Sequence, residues 1–236
     1  MLARMGGEEQ LGWLCLLGGG EFSFGETAAA DRGWLEKTPS GAVGFVPAAS
    51  GSADYGRHFA EYLDREFRRQ VETVPIYRDR DARRVKNLER LADAAAVYLG
   101  GGVADHLVEA LAGSDAVEAL RVKVAGGGVV VAIAAAAQAC GASYRSVVGG
   151  RAEPGLALLP DAVIEANFDP AHDRRLRQLM EASGAERGIG IPAGGALLLG
   201  PGGTFEAIGT VLTLASPDGD LVPMAGEEIP VEEADA

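Results

Sequence analysis

The chain has 236 residues and a net charge of −13, from 21 Lys and Arg against 34 Asp and Glu. The length suits a single domain over residues 1–236. Its 47% apolar content excludes a disordered chain, and its acidity argues against nucleic acid as a partner.

In chain order, Trp13–Leu17 is a short apolar run stopped by Gly18-Gly19-Gly20, a buried strand and its turn. Ala42–Pro47 is a second strand, stopped by Ala48-Ala49-Ser50-Gly51. From Asp54 to Arg69 a helix is expected, with Phe59, Tyr62, Leu63 and Phe67 at helical spacing. Val71–Ile76 is a third strand, and Arg83–Ala94 a helix with Val85, Leu88 and Leu91 on one face. The mixed-sign stretch Tyr77–Arg84 between them reads as a solvated loop. Ala95–Leu99 is a fourth strand, ended by Gly100-Gly101-Gly102. One long helix is expected over Ala104–Val122, with Leu107, Leu111, Val117 and Leu120 inward. Gly128–Ile133 is a fifth strand, and Ala134–Ala137 opens a helix.

Strands that are apolar throughout and alternate with helices argue for a parallel sheet covered on both faces. The expected fold is thus α/β, a three-layer sandwich with a mainly parallel central sheet. After residue 150 a strand at Asp161–Ala166, a helix at Pro170–Ala182 and a strand at Gly188–Ile191 follow. Ala196–Leu199, Phe205–Ile208 and Thr210–Ala215 read as an antiparallel set. From Gly226 the chain carries Glu227, Glu228, Glu232, Glu233 and Asp235, an acidic tail expected to be frayed.

Two cysteines, Cys15 and Cys140, make no disulfide framework and sit in apolar runs as buried hydrophobes. The apolar stretch Leu11 to Leu17 follows Glu8 and Glu9 and is too short for a signal-peptide core. Val124 to Ala142 is broken by Gly126, Gly127 and Gly128, so a strand plus helix is expected there instead of a membrane span. A soluble cytoplasmic protein is expected.

Ligand sites in such folds lie beyond the carboxyl ends of the strands. Gly18–Gly20, Ala48–Gly51 and Gly100–Gly102 all fall there. They read either as tight turns or as backbone N–H groups lining a cleft. The strand running through Ala132-Ile133-Ala134-Ala135-Ala136 into a helix has the layout of a nucleophile elbow. Its elbow position, Ala134, has no nucleophile, and its flanks Ala132 and Ala136 are not glycine.

Several segments resemble the dipeptidase E and cyanophycinase family of serine peptidases, whose fold is similar to class I glutamine amidotransferases. The resemblance spans about residues 13–215. Gly18-Gly19-Gly20-Glu21 resembles the family's opening GGGE/D, and Pro47-Ala48-Ala49-Ser50 its PTAS turn. Leu99-Gly100-Gly101-Gly102 with Leu107 and Leu111 resembles its GG-x-x-x-x-L-x-x-x-L segment. Gly155-Leu156-Ala157-Leu158-Leu159-Pro160 resembles GLGLLP. Arg174-Arg175-Leu176 and Gly188-Ile189-Gly190-Ile191 resemble R-x-x-RL and GIGID.

Set against this family, the G-T-S-A-G-A elbow reads Ala132-Ile133-Ala134-Ala135-Ala136-Ala137, so alanine replaces the serine. The D-x-H-F segment reads Glu165-Ala166-Asn167-Phe168, so Asn167 replaces the base histidine. The acidic pair of the IDE/T-A segment is gone at Pro192 and Ala193. Glu153 falls in the region of the third acid. The flanking alanines are expected to relax or tilt the turn. Losses at nucleophile, base and turn glycines favour a natural pseudoenzyme over a trapped mutant.

Three histidines remain. His58 reads as solvated, and His172 as a displaced base with no serine to activate. His106, just after Gly100–Gly102, reads as a helix-start polar residue or a ligand contact. No histidine pair has metal-ligand spacing, and no cofactor is implied. Cys140 lies nearly two helical turns past Ala134, out of reach of the elbow.

The leading expectation is a non-catalytic member of the family. It would hold a small peptide or amino-acid-like ligand on the backbone of Gly19, Gly20, Gly101, Gly102 and Ala135, with His106 at the edge. The alternative is an active serine-type hydrolase of acidic dipeptides or cyanophycin-like substrates, in which Ala134 is an engineered replacement or another nucleophile acts. A third reading is a structural subunit whose cleft the alanines close. A homodimer is compatible with each.

Overall fold

A computed structural model describes residues 11–224; the acidic tail and the Glu8–Glu9 pair lie outside them. Strands β1 (Trp13–Leu17), β2 (Val43–Val46), β3 (Val71–Thr73), β4 (Ala96–Leu99) and β5 (Val129–Ile133) form the parallel part of the main sheet. β6 (Ser143–Arg145) and β7 (Ala152–Pro154) make a separate antiparallel hairpin. β8 (Ala162–Ala166) and β9 (Arg187–Ile191) pair in parallel in a second sheet. β10 (Ala196–Leu199) and β11 (Phe205–Ile208) return to the main sheet, whose order is β11-β10-β1-β5-β4-β2-β3. β12 (Leu212–Leu214) and β13 (Val222–Pro223) complete the second sheet in the order β13-β12-β9-β8.

The helices are α1 (Ala28–Glu36), α2 (Ala53–Phe67), α3 (Asp79–Ala82), α4 (Val85–Asp93), α5 (Ala104–Leu111), α6 (Asp115–Ala125), α7 (Ala135–Ala139) and α8 (Arg174–Ser183). The central strands β1, β2, β4, β5 and β10 are buried on both faces because every side chain they carry is apolar or aromatic, whereas the edge strands β3 and β11 carry Glu72, Thr73 and Glu206. Cys15, Leu17, Phe45 and Tyr98 face Trp34 of α1 and Phe59 and Leu63 of α2. Leu14, Leu16, Val97 and Leu99 face Leu107 of α5, Leu120 of α6, and Ile164 and Ile189 of the second sheet. Val163 turns the other way and packs under Leu176 and Met180 of α8. The α/β sandwich with a mainly parallel central sheet is therefore as expected.

Four details depart from the sequence reading. The long helix over Ala104–Val122 is two helices, because Gly113 takes a left-handed backbone (φ 64°) that a helix interior does not accept. Val85 is 69% exposed at the first position of α4, while Leu91 carries the buried face. Tyr77–Arg84 is not simply a solvated loop: it holds α3, and Asp81 is buried there with Arg84 at 3.3 Å. The strand β12 leaves the expected antiparallel set and pairs with β9 instead of β11. Both cysteines are free and fully buried, as expected, and burial pushes the Cys140 thiol up to about 12. No helix among the described residues is long and apolar enough to cross a membrane.

Helix α1, which no sequence pattern announced, carries a fully buried carboxylate. Asp31 accepts from the Thr27 hydroxyl at 2.7 Å, the Trp34 indole at 2.8 Å and the Tyr62 hydroxyl at 2.9 Å. Burial pushes its carboxyl up, opposed by these three hydrogen bonds. A raised folded-state value means that its stabilising contribution is full below the unfolded value, about 4, and is lost as pH rises through the folded value. Asp31→Asn, whose amide can donate to the two hydroxyls, should therefore gain on the wild type between pH 4 and pH 7. Asp31→Ala should cost roughly 2–4 kcal/mol by orphaning buried donors. Urea midpoints at the two pH values check both; an Asn variant with an unchanged pH profile would refute the titration.

Candidate functional site

The parallel register ends three strands side by side. Leu17 pairs with Ile133, and Leu99 with Ala132. The turns after β1, β4 and β5 therefore converge, and Ala134 N–H donates to Leu17 O at 2.9 Å. A Cβ built on Gly101 would lie 3.7 Å from the Ala134 Cβ. The turn after β2 joins them, since Val103 N–H donates to Ala49 O at 2.9 Å.

Ala134 has φ 53° and ψ −117°. This conformation is nearly closed to residues with a Cβ and costs on the order of 1–3 kcal/mol. It has the sharp strand-to-helix geometry of a nucleophile elbow, with a methyl group at its apex. Ala132 and Ala136 flank it fully buried, so the expected relaxation of the turn by their methyl groups does not occur. Small side chains on both sides already allow α7 to sit against β5.

Asn167 follows β8 with φ 50°, a conformation that asparagine tolerates better than most residues. Its N–H donates to Gly18 O at 2.6 Å. A Cβ on Gly19 would run into the Asn167 carboxamide, so this side chain lies directly over Gly19. The turn is held from the other side by Gly194 N–H, which donates to Gly19 O at 2.9 Å. The structure thus brings Gly19, Gly20, Gly101, Gly102, Ala134, Ala135 and Asn167 to one end of the sheets.

The remaining candidates lie around that group. His106 is exposed on the first turn of α5. Its neighbour Asp105 accepts from the Ser146 hydroxyl, from Val147 N–H at 3.0 Å and from the Tyr144 hydroxyl at 3.3 Å. Burial pushes the Asp105 carboxyl up, but these hydrogen bonds outweigh it and hold it below the usual range. Asp105 thereby fastens the β6–β7 hairpin to the start of α5. Glu153 lies on β7, where the Arg151 guanidinium donates to its carboxylate at 2.6 Å. His172 is exposed and pairs with Asp169 at 2.6 Å, and His58 is exposed on α2. Among the described residues no group of acidic, histidine or cysteine side chains is arranged to hold a metal ion.

One site residue escaped the sequence reading. Tyr55 of α2 sets its hydroxyl 3.4 Å from Gly101 N, accepting that N–H. Its ring stacks on Phe22 at 6.0 Å and meets Phe45 edge-on at 5.3 Å. The signal was present, because Tyr55 precedes Phe59 by four residues and so shares its helical stripe.

The sequence profile of peptidase family S51 matches residues 14–206. A peptidase from an acI-B1 Actinobacterium superposes with a TM-score of 0.70 at 18% identity, covering 92% of this chain and 98% of its own. A putative peptidase E protein from Listeria monocytogenes EGD-e superposes with a TM-score of 0.62 at 16% identity, covering 84% of this chain and 98% of its own. A comparison with curated proteins finds no match.

Because Ala134 carries strain without a nucleophile to use it, Ala134→Gly should stabilise the protein. Relief of ~1–3 kcal/mol is offset by ~0.4–1 kcal/mol of extra unfolded-chain entropy. A net gain of about 1 kcal/mol corresponds to roughly 2–4 °C in Tm. Calorimetry checks it, and a lower Tm would mean that the turn is unstrained.

Proposed function

The chain belongs to peptidase family S51, and we propose that within it this protein is a member without peptidase chemistry. It holds a small peptide or amino-acid-like ligand in the former active-site cleft, as a soluble cytoplasmic protein. One observation carries the reading: the elbow keeps its strained turn at Ala134 while its side chain is a methyl group. Acyl transfer needs a nucleophile and a base that accepts its proton. Ala134 supplies neither oxygen nor sulfur, and the Asn167 carboxamide takes up no proton at neutral pH. Cys140 does not substitute, because it is fully buried at the far end of α7 and burial holds it as a thiol. The exposed His172–Asp169 pair has an oriented imidazole but no hydroxyl at the elbow to activate.

The backbone supports the binding half of the proposal. The Gly101 N–H, held only by the long 3.4 Å contact to the Tyr55 hydroxyl, and the Ala135 N–H at the start of α7 are the donors that a ligand oxygen would meet. Removing the triad from a peptidase leaves ~10³–10⁴ over the uncatalysed rate, far below a working enzyme.

The purified protein should show no detectable hydrolysis of an aspartyl dipeptide or of a cyanophycin-like polymer. Ala134→Ser alone should stay inactive, since the serine finds no base. Because the turn is already formed, Ala134→Ser with Asn167→His should exceed the single variant by at least ~10²-fold without restoring the flanking glycines. Release of free aspartate is the measurement. Ordinary peptidase turnover by the natural chain would overturn the proposal, and by Ala134→Ser alone would overturn the role given to Asn167.

A further inference from the structure

Tyr55 of α2 sets its hydroxyl beside the Gly101 turn. Its ring is gripped on two sides, by Phe22 in a stack and by Phe45 edge-on. A Cβ on Gly100 would meet Tyr55 Cε1 at 3.1 Å, so the ring lies against the backbone of that turn. The hydroxyl is therefore fixed beside Gly101, whose own neighbour is the Ala134 methyl group. That hydroxyl accepts one N–H, at the long distance of 3.4 Å. Among the described residues its own proton has no hydrogen-bond acceptor. Gly101, Tyr55 and Ala134 are all partly open to solvent.

We infer that the Tyr55 hydroxyl and the Gly101 N–H form a two-donor site for a neutral carbonyl oxygen, such as a peptide amide, next to Ala134. This inference rests on the reading of the cleft as a ligand site. A phenol keeps its proton here: burial pushes Tyr55 up to about 12, the Gly101 hydrogen bond opposes this, and the Asp31 and Glu21 carboxylates add to it. The Glu21 carboxylate sets the charge preference. Glu21 begins the Phe22–Phe24 turn, and Phe22 stacks on Tyr55. With that anion beside the phenol, a ligand carboxylate at this point is repelled, while an uncharged carbonyl is not. The long Gly101–Tyr55 contact is weak, so a ligand oxygen that takes both donors displaces little.

The test uses the full chain at pH 7, with N-acetyl-alanine amide as the neutral probe and N-acetyl-alanine, a carboxylate, as the anionic one. Titration calorimetry should show the neutral probe binding more tightly than the anionic one. Tyr55→Phe, which keeps the ring packing, should weaken the neutral probe roughly five- to tenfold, as the loss of one hydrogen bond implies. In the wild type, the Gly101 amide resonance should move on titration, a readout that does not depend on the variant folding. Equal affinity in wild type and Tyr55→Phe, tighter binding of the anionic probe, or a fixed Gly101 resonance each overturns this inference and leaves the cleft reading standing. Binding of neither probe to the wild type overturns both.

Discussion

The parallel pairing of β1, β5 and β4 governs the site. Because Leu17 lies opposite Ile133 and Leu99 opposite Ala132, three strands stop within one residue of one another. Their turns must then leave the sheet at the same level. A parallel strand cannot return by a tight hairpin, so each exit leads into a helix or a crossover, and the backbone at the exits is left facing a common space. The glycines of the β1 and β4 exits and the alanines of the β5 exit let these segments approach without side chains between them.

That constraint explains why the turn keeps its shape with an alanine at its apex. The Ala134 N–H is committed to Leu17 O, and Ala132 and Ala136 are buried against the core. The turn is thus held from the strand side and from the helix side. The conformation at Ala134 is imposed by β5 and α7 together and does not depend on the side chain at its apex. Its strain is small beside the packing of a continuous core, so nothing in the fold selects strongly against it.

The opposite layer links the site to a fully buried carboxylate. Asp31 gathers Thr27, Trp34 and Tyr62, and so ties the segment leaving Gly18–Gly20 to α1 and α2. Phe22 lies on Tyr55, Phe59 and Tyr62 in the same region. On the other flank Asp105 secures the β6–β7 hairpin. The two carboxylates do similar structural work under opposite conditions: burial pushes the Asp31 carboxyl up, while hydrogen bonds hold that of half-exposed Asp105 below the usual range.

The sequence by itself determined the α/β layering, the strands of the main sheet, and an alanine at position 134 and an asparagine at position 167. These are local facts: an apolar run stopped by glycine is a buried strand wherever it packs, and a missing hydroxyl is missing in any fold. Tertiary structure decided what depends on distant partners. Thr210–Ala215 has a strand's composition, yet only the space beside β9 drew β12 out of the main sheet. The segment over 104–122 has one continuous helical stripe, and the left-handed Gly113 divides it because both halves still bury that stripe. The alanines around Ala134 read as an elbow that had lost its geometry, but packing from β5 and α7 keeps it. Tyr55 reads as one more aromatic of an amphipathic helix until a strand end 46 residues away places Gly101 N–H against its hydroxyl. Periodicity records which face of an element is buried; it carries no information about which backbone that face will meet.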